Sequence, residues 1–301
     1  MKQILIQALS LFFIILLGFI LKKLGILSKK HGDVLSKIIV YITLPAAIIV
    51  NLASLEIKNQ MLLFILIAVI WSIMQVILAY LSTARLTHIS RSSMMYMGSG
   101  FNVGNFLLPF IQSIQPTLVP MISMFDIGNS IMLTGGTQAT VDNLLTTNQR
   151  FSFRLTLFQL LRSVPFMCYL IMFCLRYYHV TLPEFIHTIF TPIANANVFL
   201  SMFMIGLYLD FELPKGSFRY LCQLFFLRFG MGLVLIFLLN FLPIQRASKL
   251  VLSLLCVSPI PLFGVMNAVI SGEKEELVGF ASSLSFILSL VLMTVIVIVM
   301  N

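Results

Sequence analysis

The chain reads as an all-α polytopic membrane protein: about ten transmembrane helices in a 5+5 inverted-topology repeat, with broken helices four and nine crossing. Three observations predict this. The 301 residues are 59% hydrophobic and 10% charged, where a soluble domain is nearer half apolar and a quarter charged. Apolar stretches of about 20 residues, the length that crosses a bilayer, recur along the chain with short connections. Two of them, at matching places in the two halves, are interrupted by glycine, proline or amide residues, the pattern that marks binding sites in transporters built from inverted repeats.

The expected spans fall near 4–21, 34–54, 61–83, 94–113, 117–141, 155–175, 189–209, 217–239, 247–271 and 277–300. The first is too long for a signal-peptide core and ends in Lys22 and Lys23 without a small-residue cleavage site, so it reads as a retained helix. The fourth and ninth depart most from an uninterrupted span. Five helices on either side of the polar stretch TTNQRFSFR divide the chain into a first repeat at 1–145, an inter-repeat loop at 146–154 and a second repeat at 155–301. An odd number of helices per half makes the second repeat enter the membrane from the opposite side.

Charge gives the orientation. Of the 19 Lys and Arg residues, twelve lie in the loops after helices one, three, five, seven and nine, and five on the other side. The positive-inside bias places the odd loops in the cytoplasm. Both termini then face out of a cytoplasmic membrane. The net charge of +9 is scattered over these turns rather than gathered in one patch, so nucleic acid is excluded as a partner and the lipid bilayer is expected instead. Cys168, Cys174, Cys222 and Cys256 sit in or beside apolar segments without metal-ligand spacing, and read as small hydrophobes. No metal or cofactor is indicated.

The candidate site starts from SGFNVGNFLLPF at 99–110. A helix broken near Gly104 leaves backbone N–H and C=O groups at mid-membrane, which is tolerated only where they line a cavity or are buried in protein. Asn102 and Asn105 add amide donors and acceptors, and Pro109 follows. The half-helix after the break offers its positive N-terminal end to an anion. In the ninth helix Pro259, Pro261 and Gly264 form the matching interruption in SPIPLFG. A proline-kinked helix with asparagines as interhelical glue is the plainer reading of one such segment. Two at matching positions favour a paired crossover.

Helix five carries Asp126, the one acid deep in an apolar run. Ser123, Asp126, Ser130 and Thr134 share a face at spacings of three, four and four, flanked by Asn129. An intramembrane carboxyl group is a functional candidate by default. Taken out of water it favours its protonated form, which makes it a candidate proton carrier. The alternative is a structural charge pair with Arg228 in helix eight. Arg228 is also a candidate attractor for an anionic substrate. Ser282, Ser285 and Ser289 in helix ten form a matching stripe, read as packing residues. The four histidines lie in or near loops, and no His-Glu-x-x-His, Gly-x-Ser-x-Gly or phosphate-cradling loop is present.

With these segments in place, the chain resembles the auxin efflux carrier family, in particular its small bacterial members. The resemblance spans nearly the whole chain. It rests on GFILKKLGILS leading to YITLPAAIIVNLAS, on FNVGNFLLP, FDIGNSIML and MIGLYLDF, and on SPIPLFG followed by SSLSFILSL. It implies ten helices in two inverted repeats, with helices four and nine crossing at a central site. It also implies a scaffold of helices one, two, six and seven, a mobile transport part made of the rest, and a homodimer. Asn102, Gly104 and Pro109 match the first crossover pattern and Pro259 the second. Leu107 stands where the family often has Gly. Phe263 stands where the second crossover often has Asn, with Asn267 one turn later.

The expected function is therefore a secondary transporter, not an enzyme. It would move a small organic anion, auxin-like or a mono- or dicarboxylate, by elevator-type alternating access, with Asp126 as a candidate for proton coupling. The rivals are a sodium-coupled organic-anion or bile-acid-type carrier, an intramembrane enzyme, and a receptor that does not transport. The enzyme needs paired catalytic residues at membrane depth, and a single deep acid does not supply them.

Overall fold

The computed structural model describes residues 2–53, 55, 59–145, 153–214 and 216–300. Most of the expected inter-repeat loop, 146–152, lies outside the described residues, as do Lys58, Arg150 and Lys215, used for the orientation, and Asn301. The described chain is helical, with no strand among its described residues.

Residues 2–145 hold α1 (Lys2–Lys23), α2 (Lys29–Ile38), α3 (Leu44–Leu52), α4 (Asn59–Ser82), α5 (His88–Gly98), α6 (Leu108–Ile114), α7 (Val119–Ile131) and α8 (Thr137–Leu144). Residues 153–300 hold α9 (Phe153–Arg162), α10 (Val164–Tyr177), α11 (Glu184–Tyr208), α12 (Phe218–Phe225), α13 (Met231–Leu239), α14 (Arg246–Cys256), α15 (Leu262–Ile270) and α16 (Glu275–Met300). Wider π turns join α2 to α3 (Ile39–Thr43), lead into α6 (Val103–Leu107), join α7 to α8 (Met132–Gly136) and join α12 to α13 (Phe226–Gly230).

Among the described residues, seven continuous helical stretches are long and apolar enough to cross a membrane, or eight if the bent pair α9 and α10 is one span. The expected fourth and ninth spans are each two shorter helices around non-helical residues, 99–102 and 257–261. The sixth, expected as continuous over 155–175, bends by 81° at Ser163 instead. Pro165 explains this. It has no N–H to continue the ladder and its ring excludes the carbonyl four residues back, so it is accepted in the first turn of a new helix, with Ser163 extended at φ −74° and ψ 114° as the cap of α10. Pro45 and Pro109 sit inside apolar runs without such a bend. In both cases the carbonyl four residues earlier, Tyr41 and Asn105, belongs to a π turn. The wider turn relieves the clash that a proline imposes on an α-helix.

The chain divides into two compact units. Unit 1 is Met1–Ile65, Gly104–Ile127 and Leu157–Tyr208, and unit 2 is Leu66–Val103, Gly128–Thr156 and Leu209–Asn301. Each draws helices from both halves of the chain. Unit 1 holds expected helices one, two, six and seven, the set implied as scaffold, but also the second half of helix four and the first half of helix five. Those halves are fastened within unit 1: Gln112 Nε2 donates to the Ala194 carbonyl at 3.3 Å, and Gly104 packs on Leu44.

Lipid is as apolar as leucine, so helices in a membrane are held by close packing and hydrogen bonds rather than by expulsion from water. In unit 1 the backbones of α1 and α11 meet at Gly18 and Gly206. A methyl group at Gly206 would run into the Ile15 carbonyl, and one at Gly18 into the Phe203 carbonyl. Thr43 Oγ1 donates to Asn197 Oδ1 at 2.9 Å beneath a small-residue patch of Ala46, Ala47 and Ala194. Unit 2 has an apolar core in which Met94, Met97, Leu224, Ile260 and Val278 pack together.

Candidate functional site

Two different local chemistries open the two breaks in unit 2. After α5, Gly100 takes a left-handed backbone with φ of 70°, which a side chain would resist, and the chain leaves the helix. After α14, Pro259 and Pro261 force the residues before them, Ser258 and Ile260, away from the helical region. The result in both cases is a short extended segment with orphan backbone groups at membrane depth.

Those groups are satisfied by five side chains, those of Asn102, Ser258, Asn129, Gln75 and Ser285, and by Arg228. Asn102 N–H donates to Ser258 Oγ at 3.0 Å, and Asn102 Nδ2 donates to the Ile260 carbonyl at 3.3 Å. The two breaks therefore cross in direct contact. Asn129 fastens the first break from the side. Its Oδ1 accepts from Phe101 N–H at 3.1 Å and its Nδ2 donates to the Phe101 carbonyl at 2.9 Å. Gln75 Oε1 accepts from Gly100 N–H at 3.1 Å. On the second break, Ser285 Oγ accepts from Ile260 N–H at 3.2 Å. Gly264 allows α15 to approach α5, since a methyl there would lie 2.6 Å from the Tyr96 carbonyl.

Arg228 lies under this crossing. It is 3% exposed and sits on the π turn Phe226–Gly230. Its Nε donates to the Ser258 carbonyl at 3.0 Å and its Nη1 to Met97 at 3.2 Å. Its Nη2 donates to the Gly100 carbonyl at 2.9 Å and to Pro259 at 2.6 Å. One guanidinium thus uses four of its five N–H donors on carbonyls from both breaks.

Asp126, Gly104, Asn105 and Pro109 belong to unit 1. Asp126 is 6% exposed, and its Oδ2 accepts from the fully buried Tyr169 hydroxyl at 3.0 Å. Gly104 faces the same carboxyl group, and a methyl in place of its hydrogen would lie 3.7 Å from Oδ2. The break lies at 99–102, before Gly104 rather than at it: Gly104 is already in the π turn of the second half-helix. Asn105 Oδ1 is buried without a hydrogen-bond partner among the described residues, and so is Ser123 Oγ on the Asp126 helix. Pro109 is buried within the half-helix.

The structure therefore brings Asn102, Asn129, Arg228, Pro259, Pro261 and Gly264 together in unit 2, and sets Gly104 beside Asp126 in unit 1. Sequence reasoning missed Tyr169, Gln75 and Ser258, and gave Ser285 only a packing role. A tyrosine or glutamine in an apolar helix carries no periodic signal of what it faces. Unit 2 also contains a cavity of about 200 Å³ between α5, α8 and α15, with His88, Tyr96, Gln138, Asp142, Asn267 and Ser271 among its walls. Each helix contributes residues at helical spacing, so one face of each lines the cavity.

Residues 3–142 match the model of a family described as membrane transport protein. The similarity covers a little under half of the chain. The membrane transport match takes in the first break, Asp126 and Asn129, while Arg228 and the second break lie beyond it. The family is one of transporters, which agrees with the multi-pass helical fold. No curated protein matches the chain.

Proposed function

We propose that this chain is a secondary transporter that carries a small organic anion, auxin-like or a mono- or dicarboxylate, across the cytoplasmic membrane by elevator-type alternating access. The observation that carries this reading is the crossing of two broken helices over a buried guanidinium whose hydrogen bonds all go to backbone carbonyls. Carbonyls solvate the cation without cancelling its charge. In a low-dielectric setting that charge attracts an anion far more strongly than it would in water. Half-helix N-termini at Val103 and Leu262 add partial positive charge at the same crossing. The ten-span inverted repeat and a homodimer belong to this proposal. So does an orientation with both termini outside, under which the cavity beside His88 and Ser271 opens to the cytoplasm. The division into two units, each with its own core, supports alternating access. Asp126, paired with Tyr169, is the candidate site for proton coupling.

The test is a thermal-unfolding screen of purified protein against organic acids, with the matching neutral amides and amines as controls. A ligand that binds only the folded state raises its stability, by about 2.7 kcal/mol at a hundred times Kd. Stabilisation by carboxylates and not by their amides is expected, followed by uptake of the best acid into proteoliposomes. Stabilisation by amines alone would overturn the anion reading. Binding without uptake would favour a receptor.

A further inference from the structure

In transporters built from broken helices, unwound carbonyls and half-helix C-terminal ends coordinate the coupling cation. The crossing in unit 2 has the groups for that. α5 ends at Gly98 and α14 at Cys256, so two C-terminal ends, each with partial negative charge, converge on one place. The Met97, Gly100, Ser258 and Pro259 carbonyls point at a common centre. That centre is occupied by the Arg228 guanidinium, at 2.6 to 3.2 Å from the four oxygens.

We propose that Arg228 is a tethered cation that stands permanently where a dissolved coupling ion would otherwise bind. The argument is one of charge and stoichiometry. Two helix C-termini and four carbonyl dipoles brought together in a dry site repel one another unless a positive charge sits between them. A dissolved cation would supply it reversibly, and its binding would couple ion flux to the crossing. A guanidinium on a side chain supplies it irreversibly. The crossing is then assembled at all stages of transport, needs no sodium, and keeps one fixed positive charge in every conformation. The geometry suits arginine in particular, since its planar fork of five donors reaches two pairs of carbonyls at once, whereas lysine offers a point charge with three donors. This deepens the transport reading and rests on it for the word coupling. The chemistry of the site itself does not depend on which substrate is carried.

The experiment measures thermal unfolding of purified protein in detergent at constant ionic strength, with sodium, potassium or choline chloride, and separately with millimolar guanidinium chloride or urea. The wild type, Arg228→Ala and Arg228→Lys are compared. Wild-type melting is expected to be the same in sodium and choline to within about 1 °C, because no vacancy exists for mass action to fill. Arg228→Ala is expected to melt lower by several degrees. Guanidinium should restore part of the loss, sodium or potassium a smaller part, and choline none. Urea separates charge from shape: it has a similar planar set of donors and no charge, so rescue by urea equal to that by guanidinium would reduce Arg228 to a hydrogen-bonding spacer and overturn the proposal. Arg228→Lys should melt between the two and gain no more from sodium than the wild type does. Failure of Arg228→Ala to fold leaves Arg228→Lys and the wild type to decide. A wild type or lysine variant clearly stabilised by sodium over choline would refute the proposal, since the crossing would then hold a second cation. No organic acid enters this test, so a failed substrate screen does not alter its outcome.

Discussion

Replacing Asn129 with alanine is the most direct probe of how the first break is held. The side chain is fully buried and makes both possible bonds to Phe101, accepting from its N–H and donating to its carbonyl. Alanine removes both of these hydrogen bonds from backbone groups at membrane depth. Each unsatisfied buried group costs about 1–3 kcal/mol, so the loss is about 2–6 kcal/mol if no water enters. Phe101 is itself packed edge-on against Trp71, with ring centroids 5.4 Å apart, so the break has little room to relax and find new partners. The upper half of the range is therefore expected. Asn240→Ala is the control, because Asn240 is exposed and its side chain bonds only to the Ile236 carbonyl one turn earlier. The assay is thermal unfolding in detergent, followed by the tryptophan emission of Trp71, the sole tryptophan, which lies against the break. Asn129→Ala should melt several degrees below the control and show altered Trp71 emission before unfolding. A variant with the same melting point and the same emission spectrum as the control would refute the claim that Asn129 fastens the break.

Four further outcomes are expected. Asn102→Ala removes the amide bridge to Ile260 and should weaken binding of the best organic acid by roughly 5- to 150-fold, read by titration of the melting shift; a change within twofold would separate the crossing from the substrate site. Asp126→Asn imitates the protonated carboxyl group, so substrate exchange should persist in liposomes while uptake loses its dependence on a proton gradient; normal stability with normal gradient-driven uptake would remove Asp126 from coupling. Gly206→Val forces branched carbons into the Ile15 carbonyl, and should abolish a monodisperse folded fraction on gel filtration, whereas Gly25→Ala, with open space around its Cβ but φ of 74°, should cost only about 1 kcal/mol of strain. Ser271→Cys in a background without the native cysteines should react with a membrane-impermeant thiol reagent only after the inner face is exposed; labelling of intact cells would reverse the orientation.

What the sequence disclosed and what it hid follow from the range over which each signal acts. Span positions were legible because hydropathy is a property of one segment, and a bilayer fixes its length. The break at Pro259 and Pro261 was legible because proline acts on its own backbone and on the residue before it. The position of the first break was read four residues late, at Gly104. Two glycines stand in that stretch, and only the backbone shows that Gly100 takes the left-handed turn while Gly104 is needed for its approach to Leu44. The bend at Ser163 was missed because proline has two outcomes in an apolar run. Pro45 and Pro109 are absorbed by π turns, Pro165 is not, and nothing within a few residues of each distinguishes them.

The partners of the charged residues were the least legible of all. Asp126 and Arg228 stand out in the sequence because a charge in lipid must be matched or lost, and both are buried. Their obvious match was each other, because sequence shows side chains and conceals carbonyls. A broken helix, however, manufactures acceptors: every residue in the break adds a carbonyl that no helix neighbour can satisfy. Two breaks brought together create a concentrated negative site with no acidic residue in it. An arginine there has four of its five donors accepted by backbone carbonyls while it keeps its charge, and a buried cation in a polytopic chain with paired breaks is to be read against those breaks before any distant acid. By the same reasoning Asp126 is not required to neutralise Arg228. Its hydrogen bond from Tyr169 is one that either protonation state accepts, as a carboxyl group that must gain and lose a proton during a transport cycle would require.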